Sequence, residues 1–216
     1  MRGPRPSLER ERALWAAGEG GGVVAGVDEA GRGPLAGPVV AAAVVFPPFC
    51  SKLPGLRDSK LLVPAARLRL ALQVRRRALA VGVGAASVRE IDRLNIRRAT
   101  ILAMRRALGR LSIHPAYILV DGLPCPELGW PHEAIVDGDA HCHCIAAASV
   151  IAKTVRDRLM LRLAGHYPPY GWASNKGYGT VYHLMALAQH GMTAHHRRSF
   201  APVVQLELAV GGGRGR

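Results

Sequence analysis

The chain has no run of apolar residues long and unbroken enough to cross a bilayer, and its start, MRGPRPSLERERALW, has no apolar signal-peptide core. A cytoplasmic protein with no membrane partner is therefore expected. Its four cysteines, Cys50, Cys125, Cys142 and Cys144, form no C-x-x-C pair. A core of this size needs no disulfide staples, so all four are expected to be reduced. No internal repeat is visible. Acidic residues are scarce: 15 Asp and Glu stand against 29 Lys and Arg, a formal charge of +14. Such an imbalance gathers polyanions and makes their binding salt-dependent, with nucleic acid the leading partner. Charge alone leaves a merely basic cytosolic or ribosome-associated protein open. Hydrophobic residues, 49% of the 216, are spread along the whole length, which excludes disorder and fibrous repeats and suits one domain.

Ser7 is placed to cap a short helix through Trp15, and GEGGG reads as a flexible hinge, so residues 1–22 are expected to form an appendage. Val23 to Val27 reads as a strand and PVVAAAVVF as a second one covered on both faces. Gly33, Pro34, Gly37 and Pro38 mark the turn of the resulting hairpin. Pro64 suits a first helical turn, with Ala65, Leu68, Leu72 and Leu79 on one face. ALAVGVGAAS is a plausible third strand. Ser87 and Glu90 have capping-box spacing and open a helix on which Leu94, Ile101 and Leu108 share a face, leaving Arg97, Arg98, Arg105 and Arg106 on a basic side. AYILVDG reads as a strand ending in Asp121, and EAIVDGDA as a shorter one ending near Asp137 and Asp139. A helix from about Cys144 to Ala164 and a last helix from Thr180 to Gln189, stopped by Gly191, complete a folded domain over 23–205. Residues 206–216, with GGGRGR, read as a solvated tail. Strands first, then strands alternating with helices, describe a mixed α/β sheet.

Asp28 and Glu29, then Asp121, then Asp139 each fall at or just beyond the end of a predicted strand, where α/β sheets collect their site residues. Any one of them alone is usually a solvated turn residue or a helix cap. Together they repel one another, and divalent cations relieve that repulsion. Oxygen-only ligands suit Mg²⁺ or Mn²⁺, and a pair of such ions about 4 Å apart supports in-line displacement at a phosphodiester. GRGPLAG lets backbone approach a ligand while Arg32 forks onto a phosphate or sugar hydroxyl, although it equally serves as a hairpin turn. The segment HCHC, His141 to Cys144, offers two imidazoles or two thiolates on one strand face. A closed zinc site needs four convergent ligands and no second cluster has suitable spacing, so no zinc is expected. AHHRRS reads as a basic loop contacting phosphate, favoured over a solvated charge run.

Seven blocks occur in order: VAGVDEAGRGPLAGPVVAAAVV, DSK (58–60), EIDRLNI (90–96), VDG (120–122), GDA with IAAASVIAKTVRDRLM (138–160), NKGYGT (175–180) and HRRSFAPV (196–203). Over most of its length the chain thus resembles bacterial ribonuclease HII. The resemblance implies a ribonuclease H-like fold, a mixed sheet flanked by helices with a helical C-terminal part. It implies endonucleolytic cutting of the RNA strand of RNA·DNA hybrids and nicking 5′ to ribonucleotides embedded in duplex DNA. Two Mn²⁺ or Mg²⁺ ions on Asp28, Glu29, Asp121 and Asp139 would leave a 3′-hydroxyl and a 5′-phosphate, so that misincorporated ribonucleotides are removed. It further implies that Gly31, Arg32 and Gly33 read the ribose 2′-hydroxyl and that Tyr178 stacks on the sugar of the next deoxynucleotide. Lys60, Lys176 and Arg197 are additional candidate substrate contacts. A monomer is implied, and a sliding clamp or RNA polymerase is a further partner class left open.

Some positions depart from the family's pattern. Asn175 stands where histidine usually precedes KGYG, so any backbone-positioning hydrogen bond there falls to an amide. Asp137 stands where a lysine often precedes GDA, two residues from Asp139 and on the same face if the strand continues. Asp139 is the expected ligand because it matches GDA. The related ribonuclease HIII class brings an extra N-terminal substrate-binding domain, for which the roughly twenty residues before the first strand are too few.

Overall fold

The structure is a computed structural model describing residues 5–18, 22–201, 203 and 205. In chain order the helices are α1 (Glu9–Ala16), α2 (Pro64–Arg77), α3 (Val88–Leu94), α4 (Ile96–Leu108), α5 (Gly138–His141), α6 (His143–His166), α7 (Trp172–Asn175) and α8 (Val181–His190). The strands are β1 (Val24–Ala30), β2 (Val39–Val45), β3 (Ala80–Ala86), β4 (Tyr117–Asp121) and β5 (His132–Ile135). β1 and β2 form the predicted antiparallel hairpin and β3 extends it, while β4 and β5 add in parallel on the other side of β1. The sheet order is β3-β2-β1-β4-β5.

All of β2 is buried because helices cover both faces. On one face α6, α2 and α1 pack over Val24, Ala42, Val44 and Leu119; on the other α4 packs over Ala25, Val27, Ala41, Ala43 and Val45. α6 lies so close to β1 that a Cβ at Gly26 would sit 2.2 Å from the Cys144 carbonyl carbon, so only glycine permits this approach. A third cluster around Leu35, Met160, Tyr170 and Trp172 ties α7 and α8 to the far end of α6.

Several local expectations are corrected. α1 is docked, with Leu8 and Trp15 buried in the main core, because its apolar residues find cover there. The middle of the expected hinge GEGGG, residues 19–21, and the tail at 206–216 lie outside the described residues. α2 buries Arg67, Leu70, Ala71 and Val74, whereas Leu68, Leu72 and Leu79 are exposed. The buried stripe is selected by Arg67, whose Nη2 pairs with Asp157 at 2.9 Å. The capping box at Ser87 and Glu90 is present, but the helix it opens stops at Asn95, where φ is +70°. The Asn95 side chain then accepts from Arg98 N and caps α4.

Candidate active site

β1 runs three residues beyond the predicted strand, so Asp28 and Glu29 are strand residues. Alternation sends their side chains to opposite faces. Asp28 lies on the α6 side, where Ser149 opposes the upward shift of its carboxyl, and Glu29 lines a cleft of about 210 Å³ on the α4 side together with Arg32, Thr100, Asp121 and Cys125. In the parallel register of β1 with β4, Val27 is level with Val120, which brings Asp28 beside Asp121 at the carboxyl ends of adjacent strands. Asp121 Oδ1 accepts from the backbone N–H of Gly138 at 2.7 Å, anchoring the first residue of α5, which carries Asp139. The site is therefore built on the two central parallel strands and the turn after β5.

The four carboxyls perturb one another. Burial, then the charges of Glu29 and Asp121, push Asp28 well above the usual carboxylate range. Burial raises Glu29 although the Arg32 guanidinium, 3.3 Å from its Oε1, opposes this. Burial raises Asp121, and Asp139 is pushed up to about 6 by burial and by the charges of Asp58 and Asp121. Among the described residues no three His, Cys, Asp or Glu side chains already form a closed ligand group. The donor set nevertheless suits hard divalent cations, being oxygen-only, crowded and costly to ionise without a positive charge nearby.

Sequence reasoning missed several supports of this arrangement. Ser149 Oγ lies 2.9 Å from Ser59 Oγ, tying the Ser59–Leu61 turn to the helix behind Asp28. Asp58 accepts from Lys60 N and sends its charge to Asp139. Lys60 is raised by the carboxylates Asp58, Asp139, Asp28 and Asp121 despite the opposing effect of its own burial. Asp58 and Ser59 were visible only as neighbours of Lys60, and a lone serine on an apolar helix gives no signal at all.

Beside the acids the glycine loop and the loop of Tyr178 form one continuous surface. Gly31 has φ of +97° and lies against the fully buried Arg156, whose guanidinium donates to the carbonyls of Pro38, Lys176 and Ala36 at 3.0–3.1 Å. Arg32 and Gly33 are exposed, and a Cβ at Gly33 would lie 3.8 Å from the half-exposed Tyr178 ring. Leu35 N and Ala36 N donate to Gly177 O, which fastens the glycine loop to the loop of Tyr178. Asn175 does what an amide at that position has to do: its Oδ1 accepts from Gly177 N and its Nδ2 donates to Tyr170 O, both at 2.8 Å. On the other side of Tyr178 a groove of about 570 Å³ is lined by Lys60, Lys153, Arg158 and Lys176. Lys176 Nζ folds back onto Ala173 O.

Four expectations about individual residues do not hold. Arg197 has no exposed surface and cannot touch substrate; it donates to the carbonyls of Gly31, Arg32 and Gly37, holding the glycine loop from behind. His196 beside it is also buried, so AHHRRS is neither a solvated run nor a phosphate loop at these two positions. The strand expected to carry Asp137 ends at Ile135, and Asp137 is exposed with φ of +53° while Asp139 is buried on α5. HCHC is not a strand. His143 Nε2 accepts from Leu53 N, and burial lowers its pKa to about 4. Burial pushes the Cys142 thiol up to about 12 and Cys144 in the same direction, which disfavours the thiolates a metal would need.

Acids gathered at strand ends within a basic surface are suited to phosphodiester hydrolysis, and this sheet order with its flanking helices is the ribonuclease H-like fold. Both place the chain among the nucleases of that fold. Comparison with known proteins narrows the class, since the family model described as Ribonuclease HII matches residues 25–203. Proteins named ribonuclease HII include one from Thiobacillus denitrificans, 60% identical over 82% of this chain and 87% of its own length, and one from Sphingopyxis alaskensis, 56% identical over 86% and 92%. Among solved structures, the ribonuclease H2 of Pyrococcus horikoshii is 27% identical with a TM-score of 0.73, covering 87% of this chain and 98% of that one. An Archaeoglobus fulgidus RNase HII, solved as a complex with PCNA, is 26% identical with a TM-score of 0.68, covering 82% and 95%. The chain belongs to the ribonuclease HII family, and its activity is that of a ribonuclease H, endonucleolytic hydrolysis of RNA in RNA·DNA hybrids.

Proposed function

We propose that this chain nicks duplex DNA on the 5′ side of an embedded ribonucleotide, leaving a 3′-hydroxyl and a 5′-phosphate, and so removes misincorporated ribonucleotides. The observation that carries this reading is the side-by-side placement of the four-carboxyl cluster and the loop Gly31–Arg32–Gly33, whose backbone is bent back and braced by two buried arginines. Asp28, Glu29, Asp121 and Asp139 are the residues that would hold two divalent cations, Mn²⁺ or Mg²⁺. When bound, these supply Lewis acidity at the scissile phosphate and an activated water. Zinc has no place in this chemistry.

The remaining work falls to the protein. The backbone of the Gly31–Gly33 loop, exposed at Gly33, and the Arg32 fork face the ribose 2′-hydroxyl, the one atom by which RNA differs from DNA at a given sugar. Tyr178 stacks on the adjacent deoxyribose, 3′ of the cut. Lys60 and Lys176, in the groove beyond Tyr178, neutralise backbone phosphates. Arg197 acts only through the loop it holds. The catalytic unit spans residues 23–205, works as a monomer in the cytoplasm, and carries α1 as a docked support.

The test is strand mapping on duplex DNA with one ribonucleotide, labelled at either end, in Mn²⁺ or Mg²⁺ and in chelator. A cation-dependent nick 5′ to the ribonucleotide that DNA ligase can reseal is expected. Cleavage on the 3′ side, or equal cleavage of all-DNA duplex, would overturn the reading.

A further inference from the structure

Behind Tyr178 lies a chain of buried side chains whose proton positions are fixed by the geometry. Thr193 N–H donates to His196 Nδ1 at 2.9 Å, so that nitrogen carries no proton. Trp172 Nε1–H donates to His183 Nε2 at 3.1 Å, so that nitrogen carries none either. The two Nε2 atoms are 3.1 Å apart, and one of them must supply the hydrogen. Since Trp172 requires His183 Nε2 to accept, His196 Nε2–H is the donor. A neutral His183 then bears its proton on Nδ1 and donates it to the backbone carbonyl of Tyr178 at 2.9 Å. Both imidazoles are wholly buried and burial lowers both pKa values, His196 to about 4, which keeps the pair neutral.

His196 is followed directly by Arg197, and the two side chains serve different halves of the recognition surface. Arg197 reaches the carbonyls of Gly31, Arg32 and Gly37, while its own N–H donates to Leu35 O at 2.8 Å. His196 reaches Tyr178 through His183. We propose that the dipeptide His196–Arg197 is the common anchor of the junction reader, fixing the spacing between the 2′-hydroxyl loop and the Tyr178 ring, with His183 as a positioning residue that acts through the Tyr178 carbonyl. This rests on the junction-reading role proposed above. None of the three residues touches substrate; they set where the groups that do so stand, and hence the preference for a single embedded ribonucleotide over a continuous hybrid.

The test uses atom-selective replacements of His183 in the full chain. In His183→Asn the amide occupies the place of Nδ1 and still donates to Tyr178 O. In His183→Gln it occupies the place of Nε2, accepts from Trp172 and misses Tyr178. The readout is the ratio of kcat/KM on a single-ribonucleotide duplex to kcat/KM on a continuous RNA·DNA hybrid. His183→Gln is expected to lower this ratio about three- to tenfold, the worth of one neutral hydrogen bond, and His183→Asn to stay within about twofold of wild type. A role in packing alone gives the reverse ranking, because glutamine is nearer histidine in size.

In a Tyr178→Ala background the His183→Gln penalty is expected to vanish. If Tyr178→Ala itself leaves the ratio unchanged, the junction reading fails. If Tyr178→Ala lowers the ratio but the His183→Gln penalty persists undiminished beside it, the anchoring proposal fails alone. Nitrogen NMR of the imidazoles is an activity-independent check: His183 protonated on Nδ1 and His196 on Nε2 are expected, and any other tautomer pair overturns the proposal.

Discussion

Replacing Gly31 with alanine tests how the recognition loop is held. At φ of +97° an alanine is strained by about 1–2 kcal/mol. Its Cβ would also stand 1.9 Å from Arg156 Nε and 2.4 Å from Arg156 Cδ, so the guanidinium must leave its place. That guanidinium donates to Pro38 O at 3.0 Å and to Lys176 O and Ala36 O at 3.1 Å, inside a site with no exposed surface. Breaking one or two of these charge-assisted bonds costs about 1.5–3 kcal/mol each. With partial relaxation the total loss is about 3–5 kcal/mol. For a domain of this size each kcal/mol lowers the melting temperature by roughly 2–4 °C, so a drop on the order of 10 °C is expected in circular dichroism melts. Gly33→Ala is the matched control: its Cβ meets only Tyr178 Cε1 at 3.8 Å and its φ is not positive, so stability should change by less than about 0.5 kcal/mol while junction nicking falls. A Gly31→Ala protein melting within 2 °C of wild type, at roughly unchanged enthalpy, would refute the claim that Arg156 fixes this loop.

Asp139→Asn is expected to abolish most hydrolysis and Asp137→Asn to leave most of it, because Asp139 is buried beside Asp121 whereas Asp137 is exposed in a left-handed turn that asparagine also tolerates; hybrid cleavage rates check this. Carboxyls raised on folding take up protons relative to the unfolded chain, so between about pH 4, the ordinary carboxylate value, and about 6, where Asp139 ionises, they lower the metal-free protein's stability as pH rises, while the buried His143 and His196, lowered to about 4, raise it over the same range; comparison with Asp139→Asn isolates the acid's share. Glu90, lowered to about 2 by hydrogen bonding to Arg106, acts in the opposite sense to the raised acids, mostly below that window. In melts across pH without metal, wild type should lose stability relative to Asp139→Asn between pH 4 and 6, and Mn²⁺ should stabilise wild type more above pH 6; identical pH dependences of the two proteins would contradict the crowded-acid account. Glu11 Oε1 accepts from Cys144 N at the start of α6 while burial raises its pKa, so Glu11→Ala is expected to cost about 1–2 kcal/mol and Glu11→Gln, which keeps the acceptor, much less in denaturant unfolding.

The features legible in the sequence were those encoded locally. The β1–β2 hairpin, the Ser87–Glu90 capping box, the long α6 and the last helix α8 stopped by Gly191 follow from β-branched runs, spacing and turn residues. The four acids were legible because each falls at the carboxyl end of a hydrophobic run. What escaped was decided by distant partners. The buried face of α2 depends on Arg67 meeting Asp157, 90 residues away, and the docking of α1 depends on Glu11 reaching Cys144, 133 residues away. His196 and Arg197 read as a phosphate-contacting loop, and Arg156 gave no signal, because burial of an arginine needs carbonyl acceptors that only the assembled loops provide. HCHC was weighed as a ligand cluster, and set aside, on the assumption of a strand where a helix begins.

The most direct test of the central claim compares wild type with Asp28→Asn on a labelled DNA duplex carrying one ribonucleotide, following both nicking and binding in Mn²⁺ or Mg²⁺. Wild type is expected to nick 5′ to the ribonucleotide, and Asp28→Asn to lose cutting by at least about a hundredfold while binding the duplex as well as wild type, since the basic groove is untouched. Wild-type protein that binds without cutting under either metal, or an Asp28→Asn variant that cuts at near-normal rate, would contradict the assignment of these carboxylates as the reaction centre.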